Sequence, residues 1–230
     1  MKKTIVLSLG GSLIIPNKID IEFLEKFKKT ILKLTKKYKF VIICGGGNTA
    51  RNYIKGIERA NVQSKMYFQS LLGISSTRLN ARFMTYFFGK DASKGIPHDM
   101  KTVEKSLKRN NIIFCGALRY SPNQTSDTTS AKLANHLNTD FINLTNVKGL
   151  YDKNPKKFRS AKFIPEISHK DFSKIANKLK FTPGQHFVLD QKAAKLIKKY
   201  NITTYILGQD LKNLINLLED KHFIGTRIED

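Results

Sequence analysis

Val41-Ile42-Ile43-Cys44-Gly45-Gly46-Gly47-Asn48-Thr49-Ala50-Arg51 runs from an apolar strand through three glycines into a helical pattern. Residues without a Cβ let backbone approach a ligand closely, and a helix start offers unpaired N–H groups and a positive dipole end to an anion. The stretch therefore reads as a phosphate seat on a strand–loop–helix unit. A smaller version opens the chain, where Thr4-Ile5-Val6-Leu7-Ser8-Leu9 runs into Gly10-Gly11-Ser12. Two such strand ends on one sheet edge imply two phosphorylated ligands. The competing reading is a tight turn where strand and helix pack closely, which explains one glycine turn more readily than two.

The same alternation extends outward. Strand-like 4–9, helix-like 20–37, strand-like 40–44 and helix-like 48–60 give a β-α-β-α start, with short apolar strands suited to a parallel sheet covered on both faces. Helical spacing around Leu71, Leu72, Ile74, Leu79, Phe83 and Phe87 carries a helix through 61–90, ended by the Gly95-Ile96-Pro97 break. A helix near 98–109, a strand at 111–115, a polar loop, a helix at 127–137 and a strand at 140–144 follow. Gly149, Asn154 and Pro155 place 145–165 in turns and a hairpin-like excursion; Ser168 caps a helix to about 178, and 180–189 is irregular. Helix 191–200, strand 202–207, helix 210–219 and strand 222–228 close the chain. With no repeat or linker, the pattern predicts one α/β domain over 1–230, a three-layer αβα sandwich on a doubly wound, mainly parallel sheet.

Composition narrows the function. A chain of 230 residues with 40% hydrophobic content can bury a substantial core. Cys44 and Cys115 each close an apolar run without metal-ligand spacing, so both are expected as buried thiols in a reducing compartment. Met-Lys-Lys and six residues before a glycine pair are too short for a secretory apolar region, and no apolar run nears the roughly 20 residues of a span. The expectation is a cytoplasmic protein with no membrane partner. The net charge of +23 invites an anionic partner. However, Leu24, Phe27, Ile31 and Leu34 form the inward stripe of the first helix, while Lys26, Lys28, Lys29, Lys33, Lys36 and Lys37 lie largely off it. Similar scatter near Lys105, Lys108, Lys174, Lys178, Lys198 and Lys199 reads as solvated faces and argues against a dedicated nucleic-acid partner.

Gly45, Gly47 and Ala50 satisfy the loose dinucleotide pattern, but the acid required about 20 residues on is absent: residues 64–72 offer Lys65, Gln69 and Ser70. Hydride transfer loses ground, and the absence of G-x-x-x-x-G-K-[ST] excludes a P-loop enzyme. Pro122-Asn123-Gln124-Thr125-Ser126-Asp127 precedes a helix, so its hydroxyls and acid can cap that helix or surround a phosphate. Leu144 to Pro155 ends a strand in Thr145 and Asn146 and then presents Tyr151, whose ring covers a purine or plugs the hairpin onto the sheet.

Taken in order, S-L-G-G-S, C-G-G-G-N-T-A-R-N-Y, G-I-S-S-T-R-L-N-A, T-S-D at a helix start, L-T-N-V-K-G-L-Y-D-K-N-P, V-L-D-Q-K-A-A-K-L-I and G-T-R-I resemble the amino acid kinase family across essentially the whole chain. Within it they are most similar to archaeal-type members that phosphorylate a nucleoside monophosphate. The resemblance implies an αβα sandwich, ATP and Mg²⁺, γ-phosphoryl transfer to UMP giving UDP, and commonly a hexamer. It assigns residues 1–140 to an acceptor-side lobe and 141–230 to an ATP-side lobe. By resemblance, Gly10, Gly11, Ser12, Gly47 and Arg51 lie on the ATP phosphate side, Thr145, Asn146 and Tyr151 lie near the adenine, and Asn154 belongs to the same ATP-binding set. Gly46, Ser70, Asn123, Gln124, Thr125 and Ser126 fall on the acceptor side, and Asp127 orients groups around the transferring phosphoryl, with Arg51 as a fixed positive charge. No residue set is assigned to a metal.

Departures from the family pattern are equally specific. Ser70 stands where such kinases hold the ribose with Asp, and a hydroxyl makes one such bond without charge. Asn123-Gln124 replaces a Gly-His pair, with two extra residues upstream; Asn154 replaces an acid; Ser8 stands where bacterial relatives place a lysine. Lys192 and Lys195 are candidates to bridge phosphates, each with a solvated-face reading beside it. Another small phosphate or carboxylate acceptor, or a catalytically weak nucleotide-binding regulator, remains open.

Overall fold

The structure, a computed structural model, describes residues 2–120, 125–155, 157–177 and 188–230. The chain opens with β1 (Lys3–Leu9), the one-turn helix α1 (Gly11–Ile14), α2 (Ile21–Leu34), β2 (Tyr38–Cys44), α3 (Gly47–Glu58) and the long α4 (Lys65–Phe88). It continues through a 3-10 turn at Gly89–Asp91, α5 (Met100–Leu107), β3 (Ile112–Cys115), α6 (Ser126–His136) and β4 (Phe141–Leu144). A small antiparallel pair, β5 (Leu150–Tyr151) and β6 (Phe163–Ile164), precedes β7 (Glu166–Ile167), α7 (His169–Asn177), α8 (Gln191–Tyr200), β8 (Thr204–Leu207), α9 (Leu211–Leu218) and β9 (Gly225–Ile228).

One sheet runs in the order β3-β2-β1-β4-β8-β9-β7. Its first five strands are parallel; β9 is antiparallel to β8, and β7 parallel to β9. Phe40 to Cys44 are all fully buried because helices cover both faces, which is why β2 reads as a continuous apolar run rather than an alternating one. Phe27, Phe40, Phe88 and Phe114 centre one apolar layer, under α2, α4 and α9. Phe141, Phe172, Leu189 and Ile197 centre the other, under α6, α7 and α8. The doubly wound αβα sandwich and its mainly parallel sheet are thus as expected. So is the α2 stripe: the Asp20 carboxylate accepts the Phe23 N–H at 3.1 Å to start the helix, which buries Leu24, Phe27, Ile31 and Leu34. Cys44 and Cys115 are buried, on opposite faces of adjacent strands since Cys115 is level with Ile43. Burial pushes the Cys115 thiol to about 12 and the Cys44 thiol well above its ordinary value, so neither is a nucleophile near neutrality.

The face of α4 departs from the periodicity. Leu79, expected inward, is 57% exposed, and the buried side carries Ser76, Thr77, Asn80, Ala81, Met84, Thr85 and Phe88. Small polar residues win this face because it packs on strand-end backbone and bonds to it: Asn80 Nδ2 donates to Gly45 O at 2.7 Å, and Thr77 Oγ1 accepts the Ala117 N–H at 2.9 Å. The helix also stops earlier than Gly95-Ile96-Pro97, at Gly89, which takes φ +61°.

α3 and α4 do not both lie along the sheet. Gly46 faces Gly73 and Ser76, Gln69 Nε2 donates to Ile54 O at 3.2 Å, and Lys65 Nζ donates to Glu58 O at 3.0 Å, so the two helices run antiparallel. Only Gly47 and Ala50 of α3 are buried. α3 and the first half of α4 therefore project past the strand ends as a two-helix overhang, while the second half of α4 packs into the core through Ala81, Met84 and Phe88.

Candidate active site

β1 pairs with β2 on one side and β4 on the other, so the chain winds outward in both directions from the middle of the sheet. In parallel sheets the crevice outside the strand C-termini at such a switch is where ligands bind. Leu9 is level with both Cys44 and Leu144, and Leu144 with Leu207, which brings four strand ends to one edge. The turns after them, Gly10–Ser12, Gly45–Gly47 and Thr145–Asn146, share that edge with the starts of α3 and α6.

The two glycine turns meet each other directly. A Cβ on Gly11 would collide with the backbone of Gly47, one on Gly45 with the backbone of Gly11, and Gly47 takes φ +61°. Close packing thus accounts for Gly11 and Gly45, and it is loop against loop rather than strand against helix. Gly10 N–H donates to Leu144 O, Gly45 N–H to Leu9 O and Thr145 N–H to Leu207 O, each at 2.9 Å. These three amides are taken up in extending the sheet. The start of α3 is different. No side chain caps it at Gly46, so its first turn presents backbone N–H to the crevice, apart from Asn48 N–H, which donates to Ile15 O at 3.0 Å. Arg51, half-buried, donates from Nη2 to Pro16 O at 3.2 Å and so pins the loop after α1; desolvation lowers its pKa from the usual guanidinium value. Ser12, also half-buried, lies in α1.

At α6, Thr125 is the N-cap, and its Oγ1 accepts the Asp127 N–H at 3.2 Å. The same hydroxyl donates to Asp190 Oδ2 at 2.6 Å. Asp190, 2% exposed, also accepts from Thr125 N at 3.2 Å, Thr128 N at 3.1 Å, Thr128 Oγ1 at 2.7 Å and Ala193 N at 2.8 Å. One carboxylate therefore caps α8 and ties its start to the start of α6. Sequence reading saw Asp190 only as part of the V-L-D-Q-K-A-A-K-L-I run; the available signal was an acid at a helix start with a hydroxyl-rich helix start elsewhere to serve.

Asp127 accepts the Ser8 hydroxyl at 3.3 Å, and Thr125 Oγ1 lies 3.5 Å away. Burial, followed by the neighbouring charge of Asp190, raises its carboxyl to about 7. Ser8, next to last in β1, thus serves as a hydrogen-bond partner for Asp127. Ser126, half-buried, begins α6 and accepts the Ser130 hydroxyl through its carbonyl.

The other assigned residues are defined by their local contacts. Ser70 Oγ donates to Met66 O at 2.8 Å, a bond within its own helix. Tyr151 packs edge-on against Phe163 at 5.5 Å, which favours the plug over the purine cover. Asn146 is exposed just past β4, and the Asn154 carbonyl closes a turn by accepting Lys157 and Phe158 N–H. Lys192 is half-buried and Lys195 exposed on α8. Asn123 and Gln124 lie outside the described residues. Among the described residues no group of three His, Cys, Asp or Glu is arranged to hold a metal ion. A cleft of about 570 Å³ opens at the opposite end of the sheet, beside Lys3, Tyr38, Asp140, Tyr205 and Arg227, away from every residue assigned above.

A mainly parallel αβα sandwich with paired glycine turns and a hydroxyl-and-acid helix start at its switch point is the frame of a phosphate-handling α/β enzyme. The sequence model of the amino acid kinase family matches residues 3–208, and the chain belongs to that family. It is 33% identical over 227 residues to the uridylate kinase of Pyrococcus abyssi, covering 98% of this chain and 99% of the relative. It is 31% identical to that of Thermoplasma volcanium, covering 100% and 99%. Among solved structures, the uridylate kinase of Archaeoglobus fulgidus superposes with a TM-score of 0.83 at 32% identity, covering 99% of this chain and 100% of that one. UMP kinase from Ureaplasma parvum, at 20% identity and a TM-score of 0.78, shares the fold.

Proposed function

We propose that the chain transfers the γ-phosphoryl group of ATP to UMP, releasing ADP and UDP. The observation that carries this reading is the gathering of the β1 turn and the α3 and α6 starts at the strand C-terminal edge, with Asp127 of α6 bonded to Ser8 of β1. Phosphoryl transfer asks a protein mainly to hold two nucleotides in line and to place donors around the charge that moves. The acceptor phosphate lies at Thr125, Ser126 and the first turn of α3, under the α3–α4 overhang. The ATP chain lies over Gly10–Ser12 with its base toward the ends of β4 and β8. Arg51 turns from Pro16 O to the phosphates when nucleotide is present.

Mg²⁺ neutralises phosphate oxygens in this chemistry. Asp190 is fully engaged in hydrogen bonds, so Asp127 is the carboxylate that would face such an ion. The assembly is a homo-oligomer, a hexamer by resemblance, supported by exposed Tyr53, Met66, Leu79 and Tyr86 on α3 and α4. Its place is the cytoplasm and its product feeds pyrimidine nucleotide synthesis; no helix of the described residues is long and apolar enough to cross a membrane.

A coupled assay of ADP release with UMP, CMP and other small phosphate acceptors tests the reading. UMP-dependent, saturable turnover is expected; nucleotide binding without acceptor-dependent ADP release would favour the regulator, to which a Ser70 hydroxyl bonded to its own helix also points.

A further inference from the structure

We propose that the base of the acceptor nucleotide stacks on an aromatic pair, Tyr67 and Tyr120, which takes over the recognition that Ser70 does not supply. This rests on the reading of a nucleoside monophosphate as acceptor.

Tyr67, Ser70, Ile74 and Thr77 are spaced three and four apart on α4 and form one stripe along the overhang. At one end of that stripe the segment after β3 is tied down. Thr77 Oγ1 accepts the Ala117 N–H at 2.9 Å, and Arg78 donates to Ala117 O at 3.1 Å and to Leu118 O. Gly116 lies so close that a Cβ would stand 2.6 Å from Arg78 N. At the other end Tyr120 meets Tyr67 edge to face, ring centroids 4.9 Å apart and planes at 90°. Residues 116–120 therefore run along the stripe, held at both ends, with Ser70 and Ile74 between the anchors.

The opposite wall is the start of α3, where Gly46 faces Gly73 and Ser76 of α4. A phosphate seated on α3 and Thr125 thus has its nucleoside directed along the stripe toward the tyrosines. Ser70, half-exposed and bonded to Met66 O, offers that nucleoside no charge and no free hydroxyl proton. The tyrosines offer surface: 43% of Tyr67 and 38% of Tyr120 remain open. An edge-to-face contact fixes one ring by the other and leaves a face free, and stacking on an aromatic face tolerates any base. The site accordingly holds the base by its face and discriminates weakly between UMP and CMP.

The test uses the full chain carrying Tyr67→Ala, Tyr120→Ala and the corresponding Phe variants. Readouts are KM for UMP and for ATP, UMP binding by calorimetry, and binding of ribose 5-phosphate, which lacks the base. Loss of one stacking ring is expected to weaken UMP about 5- to 150-fold. The loss falls on KM for UMP, KM for ATP stays in place, the Phe variants recover, and ribose 5-phosphate binding is unmoved. Unchanged UMP affinity in both Ala variants, with turnover retained, overturns the stacking pair and leaves the kinase reading intact. Equal loss of UMP and ribose 5-phosphate binding also overturns it. A fall in assembly mass with UMP affinity unchanged assigns the pair to a subunit contact instead. If wild type turns over no nucleoside monophosphate, the underlying reading is what fails.

Discussion

Asp127→Asn should stabilise the protein in alkaline solution while abolishing turnover. In the folded chain, burial and the Asp190 charge hold a proton on Asp127 up to about pH 7, whereas an unfolded aspartate releases its proton near 4. Between those values the native state binds more protons than the unfolded one, so unfolding free energy falls as pH rises, and the loss is complete above about pH 7. Three pH units amount to about 4 kcal/mol, and partial solvent contact at the α6 start reduces this to about 2–3 kcal/mol. Asparagine cannot titrate, and its amide still has Ser8 and Thr125 hydroxyls as partners. Urea unfolding of both proteins at pH 4.5 and pH 8 measures the effect. The variant should match wild type within about 1 kcal/mol at pH 4.5 and exceed it by about 2–3 kcal/mol at pH 8, roughly 1 M in urea midpoint. A variant less stable than wild type by the same amount at both pH values would refute the charge-burial reasoning.

Three further outcomes follow from particular contacts. Arg51→Ala should lower kcat by about 100-fold or more with little change in melting temperature, since the lost Pro16 contact is one half-exposed hydrogen bond; unchanged turnover would remove Arg51 from the site. Gly11→Ala should compromise folding by about 3 kcal/mol or more, read as lost soluble yield or an earlier urea midpoint, because the new methyl collides with Gly47 backbone; wild-type stability would contradict the turn-on-turn packing. Asp190→Asn should cost about 3 kcal/mol and roughly 6–12 °C in melting temperature by breaking charged hydrogen bonds at two helix starts, and a loss under about 1 kcal/mol would show that the α6–α8 tie is unimportant.

Most of the architecture was legible because it rests on period and punctuation. β1, β2 and the α2 stripe follow from apolar runs and Asp20, and Ser168 was read correctly as the start of α7, where its Oγ accepts the Asp171 N–H at 3.0 Å. α4 was legible as a helix but not as to its face. Its inward residues are chosen for bonding to strand-end backbone, and hydrophobic spacing carries no signal for that. The glycines located the crevice, yet what each does depends on which loop lies against it. Gly11 and Gly45 serve one another, a relation between residues more than thirty positions apart that no local pattern expresses. Asp190 escaped notice for the same reason: its partners at Thr125 and Thr128 lie over sixty residues away.

The central claim is that donor and acceptor phosphates lie end to end over the glycine turns and the α6 start. A bisubstrate probe in which adenosine and uridine are joined through five phosphates measures this directly by calorimetry and competition. One molecule should bind per chain, more tightly than ATP or UMP alone, and displace both. Binding that displaces only one of the two nucleotides, or two independent molecules bound per chain, would contradict a shared cleft.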